Sequence, residues 1–182
     1  MNILKVYCAG GDVFLPEAER AITFSNMKKL AVHLSDKLCR LELLIPIDNE
    51  IDLEAPIEHA AKQRNALAIR LANEHMIKNC DVVIANLSPF RSEEPDSGTA
   101  YECGFARALG KTVLTYTDNL AEQTAKYSHF DFNQPATDGR FRYTEVEDFA
   151  LPFNLMMYGD EHPIFENFAQ ALRYLKRLPE KK

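Results

Sequence analysis

The sequence predicts an α/β protein, a parallel sheet with helices on both faces, flavodoxin-like (Rossmann-like) in its element order. Three observations predict it. Short apolar runs alternate along the chain with longer segments of helical periodicity. The run Val82–Ala85 is apolar throughout and rich in β-branched residues, the pattern of a strand buried on both sides. That run stops at a Ser88-Pro89 turn signal, crosses a charged loop, and reaches a helix start at Asp96, Ser97, Gly98 and Thr99. In open α/β sheets, ligands bind outside the carboxyl ends of strands, so this strand–loop–helix unit is the expected site. At 182 residues the chain is expected to be a single domain, 1–182.

The first strand is predicted over Ile3–Ala9 and ends at Gly10-Gly11, which permits close approach of a ligand to the backbone. No G-x-G-x-x-G or Walker A lysine follows, so a dinucleotide or P-loop site is not indicated. Pro16 suits the first turn of a long helix with an apolar stripe of Ala18, Ile22, Met27, Leu30, Ala31, Leu34 and Leu38. Leu41–Pro46 reads as the second strand, with Ile47, Asp48, Asn49 and Glu50 as its loop. A helix from about Pro56 to Lys78 carries Ile69, Asn73 and Ile77 on one face, with Asn73 a polar break in the stripe that needs a hydrogen-bond partner. After the central strand comes a helix in which Ala100, Gly104, Ala106 and Ala108 are expected to allow close packing on the sheet, ending at Gly110. Thr112–Thr117 is the fourth strand, followed by a short helix near Asn119–Lys126. Ser128–Asp148, with Asp138-Gly139, reads as a surface excursion. Phe153–Met157 is a short apolar segment. The last helix is expected over His162–Leu178 on Phe165, Phe168, Ala169, Leu172 and Leu175.

Hydrophobic content of 46% is ordinary for a globular core, and the net charge is −6. With no basic stripe, a nucleic-acid partner is not indicated. No run is long enough to span a bilayer and no signal peptide is evident at the start, so no membrane partner and a cytoplasmic location are expected. Cys8, Cys39, Cys80 and Cys103 are widely spaced and expected as reduced core thiols, with Cys8 and Cys103 adjoining candidate site residues. The five histidines show no paired ligand spacing, and neither a metal nor another cofactor is expected.

Glu102 reads as a first-turn carboxylate, with Asp96 just before the helix. There the helix dipole and open N–H groups favour the ionised form, and an enclosed carboxylate can attack a sugar carbon of oxocarbenium character. Thr99-x-x-Glu102 also has the spacing of a capping box, which needs no chemistry. Asp96 can equally be a plain loop residue. Spacing leaves these readings open.

The run from Cys80 to Arg91, then Glu94–Ala106 with Pro95-Asp96-Ser97-Gly98-Thr99-Ala100-Tyr101-Glu102, resembles the signature of the nucleoside 2-deoxyribosyltransferases. Val6–Phe14 and Leu151–Met156 agree in the same order, so the likeness spans most of the chain. The resemblance implies that Glu102 attacks the anomeric carbon of a 2′-deoxynucleoside, Tyr7 orients it, and Asp96 serves the departing base. It places Gly10, Phe14, Asp48, Glu50, Asn73, Gly98 and Asn154 about the substrate. It further implies a covalent deoxyribosyl-enzyme, retention of configuration, a free nucleobase as second partner, and a homo-oligomer in which Asn154 reaches a neighbouring subunit's site. The Ala9-Gly10-x-Asp12-Val13-Phe14 opening and the Ser88-Pro89-Phe90-Arg91 loop look most like the purine-restricted branch. Asn73 stands where broader-specificity relatives carry aspartate. Two departures stand out: Gly11 replaces the proline frequent in that branch, implying a looser first loop, and Pro179–Lys182 lacks the aromatic tail of the broad-specificity branch. Two other readings remain on the same fold. One is a hydrolase of deoxynucleoside 5′-monophosphates, disfavoured by the acidic first loop; the other is a non-catalytic nucleoside-binding module.

Overall fold

The computed structural model describes residues 2–49, 51–55, 57–128 and 145–178. Glu50, Pro56, the Asp138-Gly139 turn and Pro179–Lys182 therefore lie outside the described residues, as does most of the expected surface excursion.

Four strands pair in parallel in the order β2-β1-β3-β4: β1 (Asn2–Ala9), β2 (Cys39–Leu44), β3 (Val82–Asn86) and β4 (Thr112–Tyr116). The register sets Tyr7 beside Leu44 on one side and Val83 on the other. Successive side chains on a strand point to opposite faces. Val6, Cys8, Val82 and Ile84 accordingly meet α1 (Glu17–Leu34) and α5 (Phe168–Leu175), while Tyr7, Ala9, Val83 and Ala85 meet α2 (His59–Asn79) and α3 (Ser97–Ala108). This is the expected flavodoxin-like architecture, with helices on both faces. Beyond β4, Phe165 makes a one-residue parallel rung: Thr117 N donates to its carbonyl at 2.9 Å and its own N–H reaches Thr115 O at 3.0 Å.

The chain leaves β1 toward β2 and leaves β3 toward β4, so the direction of winding reverses between these two central strands. In open α/β sheets such a switch point, outside the carboxyl ends of β1 and β3, is where ligands bind.

Several boundaries differ from the sequence reading. The core stripe of α1 is Phe24, Met27 and Ala31, with Leu30 and Leu34 partly buried; Ala18, Ile22 and Leu38 face solvent, since Leu38 lies beyond the helix and Ile22 is out of phase with it. β2 stops at Leu44 because Pro46 opens a 3₁₀ turn, Pro46–Asp48. Phe153 is core, but the segment that follows it is a 3₁₀ turn, Leu155–Met157. The Asn167 side chain caps α5 by accepting from Gln170 N at 3.0 Å, which starts that helix at Phe168 rather than His162. The short helix α4 is only Gln123–Lys126. Close packing of α3 falls to Cys103 and Ala106; Gly104 and Ala108 are exposed, and nothing lies within 4 Å of where a Gly104 Cβ would sit. Among the described residues, no helix is long and apolar enough to cross a membrane.

Candidate active site

The site grows from the Tyr7 position of β1. Alternation turns Tyr7 toward α3, where it is fully buried and its hydroxyl donates to Glu102 Oε1 at 2.6 Å. The amide Nδ2 of Asn73, on α2, donates to the same oxygen at 3.4 Å. Asn49 Nδ2 in turn donates to Asn73 Oδ1 at 3.0 Å, which fixes the amide so that its N–H₂ faces Glu102. Three elements thus converge on one carboxylate. Both direct donors reach Oε1; among the described residues Oε2 takes no hydrogen bond.

Glu102 lies in the second turn of α3, not the first, because the helix begins at Ser97. The capping-box reading falls with it. Asp96 is the N-cap: its Oδ2 accepts from Thr99 N at 2.9 Å and from the Thr99 hydroxyl at 3.0 Å. Gly98 leaves that carboxylate room, since a Cβ there would lie 2.9 Å from Asp96 Oδ2. The expected helix-dipole stabilisation of the Glu102 anion is also overridden. Burial raises its carboxyl to about 7, opposed by the Tyr7 hydrogen bond; the nearby Asp96 charge raises it further and the Asn73 bond lowers it. The Tyr7 phenol is pushed well above its ordinary value, first by burial and then by the Glu102 charge, so Tyr7 remains a donor.

The first loop is built by close contacts. Asn86 Nδ2 donates to Asp12 Oδ2 at 2.9 Å, and a Cβ on Gly10 would come within 2.6 Å of that oxygen and 2.8 Å of Asn86 Cβ. Gly11 is not a loosening of this loop: a Cβ there would stand 2.7 Å from the Phe90 ring, so the glycine is the seat on which Phe90 packs. Phe14, largely exposed, lies 5.4 Å from Phe90 between ring centres. Arg91, at φ 60°, folds its guanidinium to 4.5 Å from the Phe90 centroid and 5.1 Å from that of Phe14.

The other expected site residues divide. Asp48 turns to α1 and pairs with Lys28 at 2.7 Å, while its neighbour Asn49 joins the Glu102 network. Asn154 caps the Leu155–Met157 turn through its Oδ1, which accepts from Met156 N at 3.0 Å. Glu50 lies outside the described residues. Cys8 points into the opposite core and Cys103 into the α3–sheet core; burial pushes both thiols up, Cys103 to about 12, so neither is a nucleophile at neutral pH. Among the described residues no cluster of metal-ligating side chains occurs.

Sequence reading missed Asn49, the Asp12–Asn86 pair and the Arg91–Phe90–Phe14 stack. Asn49 sits in a run of polar residues, Asp48, Asn49 and Glu50, where no periodicity says which one points inward.

Known proteins share this fold. The family profile described as nucleoside 2-deoxyribosyltransferase matches residues 6–156. A solved 2-deoxyribosyltransferase of Leishmania mexicana is 35% identical, with 95% of this chain and 97% of that one covered and a TM-score of 0.70. A 2-deoxyribosyltransferase of Bacillus psychrosaccharolyticus shares the fold at 17% identity, over 97% and 93% of the two chains, with a TM-score of 0.53. An uncharacterized protein of Schizosaccharomyces pombe is 31% identical over 113 residues, 62% of this chain, and the match spans about half of that relative's length (49%). The chain belongs to the nucleoside 2-deoxyribosyltransferase family, an enzyme family of pentosyltransferases.

Proposed function

We propose that the protein transfers the 2-deoxyribosyl group of a 2′-deoxynucleoside between nucleobases, mainly purines, through a covalent ester on Glu102. The observation that carries this reading is the Tyr7–Glu102 pair at 2.6 Å, in a partly enclosed site at the strand ends. Tyr7 and Asn73 hold Oε1, so Oε2 is the attacking atom. It bonds to C1′ as the C1′–N bond breaks, and the departing base takes the electron pair and a proton relayed by Asp96. A nitrogen of the incoming base then attacks C1′, and Glu102 leaves as carboxylate. Two inversions give net retention.

A 2′-hydroxyl withdraws electrons from the developing oxocarbenium, so the deoxynucleoside is the better donor. Phe14 and Phe90, two rings tilted 38° to each other with Arg91 over them, offer an aromatic surface for a planar base, which supports the purine preference taken from the first-loop resemblance. Gly10 and Gly98 keep the loop and the cap close to the sugar.

The protein is a cytoplasmic homo-oligomer in this reading, with Asn154 acting in a neighbouring subunit's site. Leu155 and Met156, beside it, are 40% and 77% exposed, apolar surface that a second copy would cover. Refolding Glu102→Ala subunits together with Asn154→Ala subunits tests the sharing. Recovered activity supports it; hetero-oligomers that stay inactive refute it.

Incubating the protein with deoxyinosine and adenine tests the reaction itself. Deoxyadenosine and hypoxanthine in equal amounts are expected. Free deoxyribose without deoxyadenosine would make the protein a hydrolase, and no turnover would leave a binding module. Efficient thymidine-to-adenine exchange would overturn the purine preference.

A further inference from the structure

Outside the Glu102 network, the single-turn helix α4 ties the loop that leads into Asp96 to the segment that leads into Asn154. Glu94 Oε1 accepts from Gln123 Nε2 at 2.7 Å and from the Tyr127 hydroxyl at 3.0 Å. The Gln123 main-chain N–H donates to Leu151 O at 2.9 Å. Lys126, almost fully buried, donates from Nζ to Pro152 O at 2.6 Å. Glu94 also closes its own loop, accepting from Phe90 N through its carbonyl at 2.8 Å. Two residues beyond Glu94 stands Asp96, and two beyond Pro152 stands Asn154.

A four-residue helix has no stability of its own, since helices this short do not outlast their nucleation cost in water. Its conformation is held by these ties, and the ties are directional. Gln123 is 3% exposed and Lys126 6%, so each buried polar group is costly unless its partner stays in place. A charged acceptor shared by two donors locks position more tightly than apolar contact would. The strut therefore fixes the distance between the Asp96 loop and the Asn154 segment, not merely their presence.

We propose that Glu94, bridged through Gln123 and Lys126 on α4, is a positioning residue that holds Asp96 at its own subunit's site and the Asn154 segment toward the neighbouring subunit's site for deoxyribosyl transfer. This rests on the reaction proposed above. Glu94 is half-exposed, so Glu94→Ala removes both bonds without opening the core.

The test compares wild type, Glu94→Ala and Glu94→Gln, in both the native and the Asp96→Asn background, by deoxyinosine-to-adenine kinetics and by amide hydrogen exchange. A misplaced substrate contact is expected to lower kcat/KM by about tenfold or more in Glu94→Ala. Glu94→Gln keeps an acceptor oxygen and should stay within about threefold of wild type. Because part of the Glu94 effect runs through Asp96, the Glu94→Ala loss should be smaller in the Asp96→Asn background than in the native one. Exchange should quicken in residues 90–96 and 151–157 together. Equal losses in both backgrounds, or quickened exchange confined to 90–96, would overturn the proposal. Should the wild type show no transfer, the reaction reading fails, and the exchange pattern alone still decides whether the strut couples the two loops.

Discussion

The Tyr7 hydroxyl donates to Glu102 Oε1 at 2.6 Å across 95 positions of sequence, joining the central strand to the helix that packs over it. Tyr7 is fully buried and its phenol holds its proton, so with Glu102 ionised the bond runs from tyrosine to carboxylate. Tyr7→Phe removes the donor with little change of shape. Transfer is expected to fall on the order of 100-fold, as for a nucleophile that has lost its alignment. The bond favours the ionised carboxylate, so its loss also moves the acid limb of kcat/KM to higher pH. A profile that stays in place would contradict that role.

Glu102 makes opposite demands on activity and on stability. Only the carboxylate attacks, so kcat/KM should decline as pH drops through about 7. In the unfolded chain the same carboxyl titrates near 4.5. The folded state therefore binds the proton more tightly, and this contribution to stability is complete below 4.5 and lost as pH rises through about 7. Glu102→Gln, neutral throughout, escapes that loss. Its Tm advantage over wild type should be wider at about pH 8 than at about pH 5, by a free energy scaled at about 1.36 kcal/mol per pKa unit. A constant advantage would mean that burial does not disfavour this anion.

In the proposed reaction Asp96 relays a proton, a task separable from its observed place as the N-cap of α3. As the N-cap it accepts from Thr99, and Asp96→Ala should lose about 0.5–2 kcal/mol of stability along with transfer. Asp96→Asn keeps an acceptor for the cap but cannot relay a proton. The expected outcome is a Tm near wild type with transfer strongly reduced. Full activity in Asp96→Asn would leave the residue a cap alone.

Much of this was legible in the sequence, and for a physical reason. The Val82–Ala85 run and the alternation of Tyr7 with Val6 and Cys8 report burial, and burial fixes the sheet. Glu102 and Asp96 stand out at a helix start, but spacing leaves their roles open, and Tyr7 is marked only by the family resemblance. What stayed hidden was direction. Asp48 and Asn49 are adjacent polar residues, yet one pairs with Lys28 and the other with Asn73, a choice made by the 3₁₀ turn that Pro46 starts. Thr99 looked like an N-cap because the pattern Thr-x-x-Glu is local, whereas Asp96 won the position by reaching Thr99 itself. Gly11 in a linear reading implies looseness, whereas in the fold the Phe90 ring packs against it. Contacts across long sequence separations leave no period to read.

In the proposed reaction Glu102 becomes covalently deoxyribosylated. The direct measurement is intact-protein and peptide mass spectrometry after rapid acid quench of the enzyme with deoxyinosine and no acceptor base. A gain of one deoxyribosyl group is expected, mapped to Glu102, absent in Glu102→Ala and discharged on adding adenine. An unmodified wild-type protein that nonetheless exchanges bases, or a Glu102→Ala variant that exchanges them at wild-type rate, would contradict it.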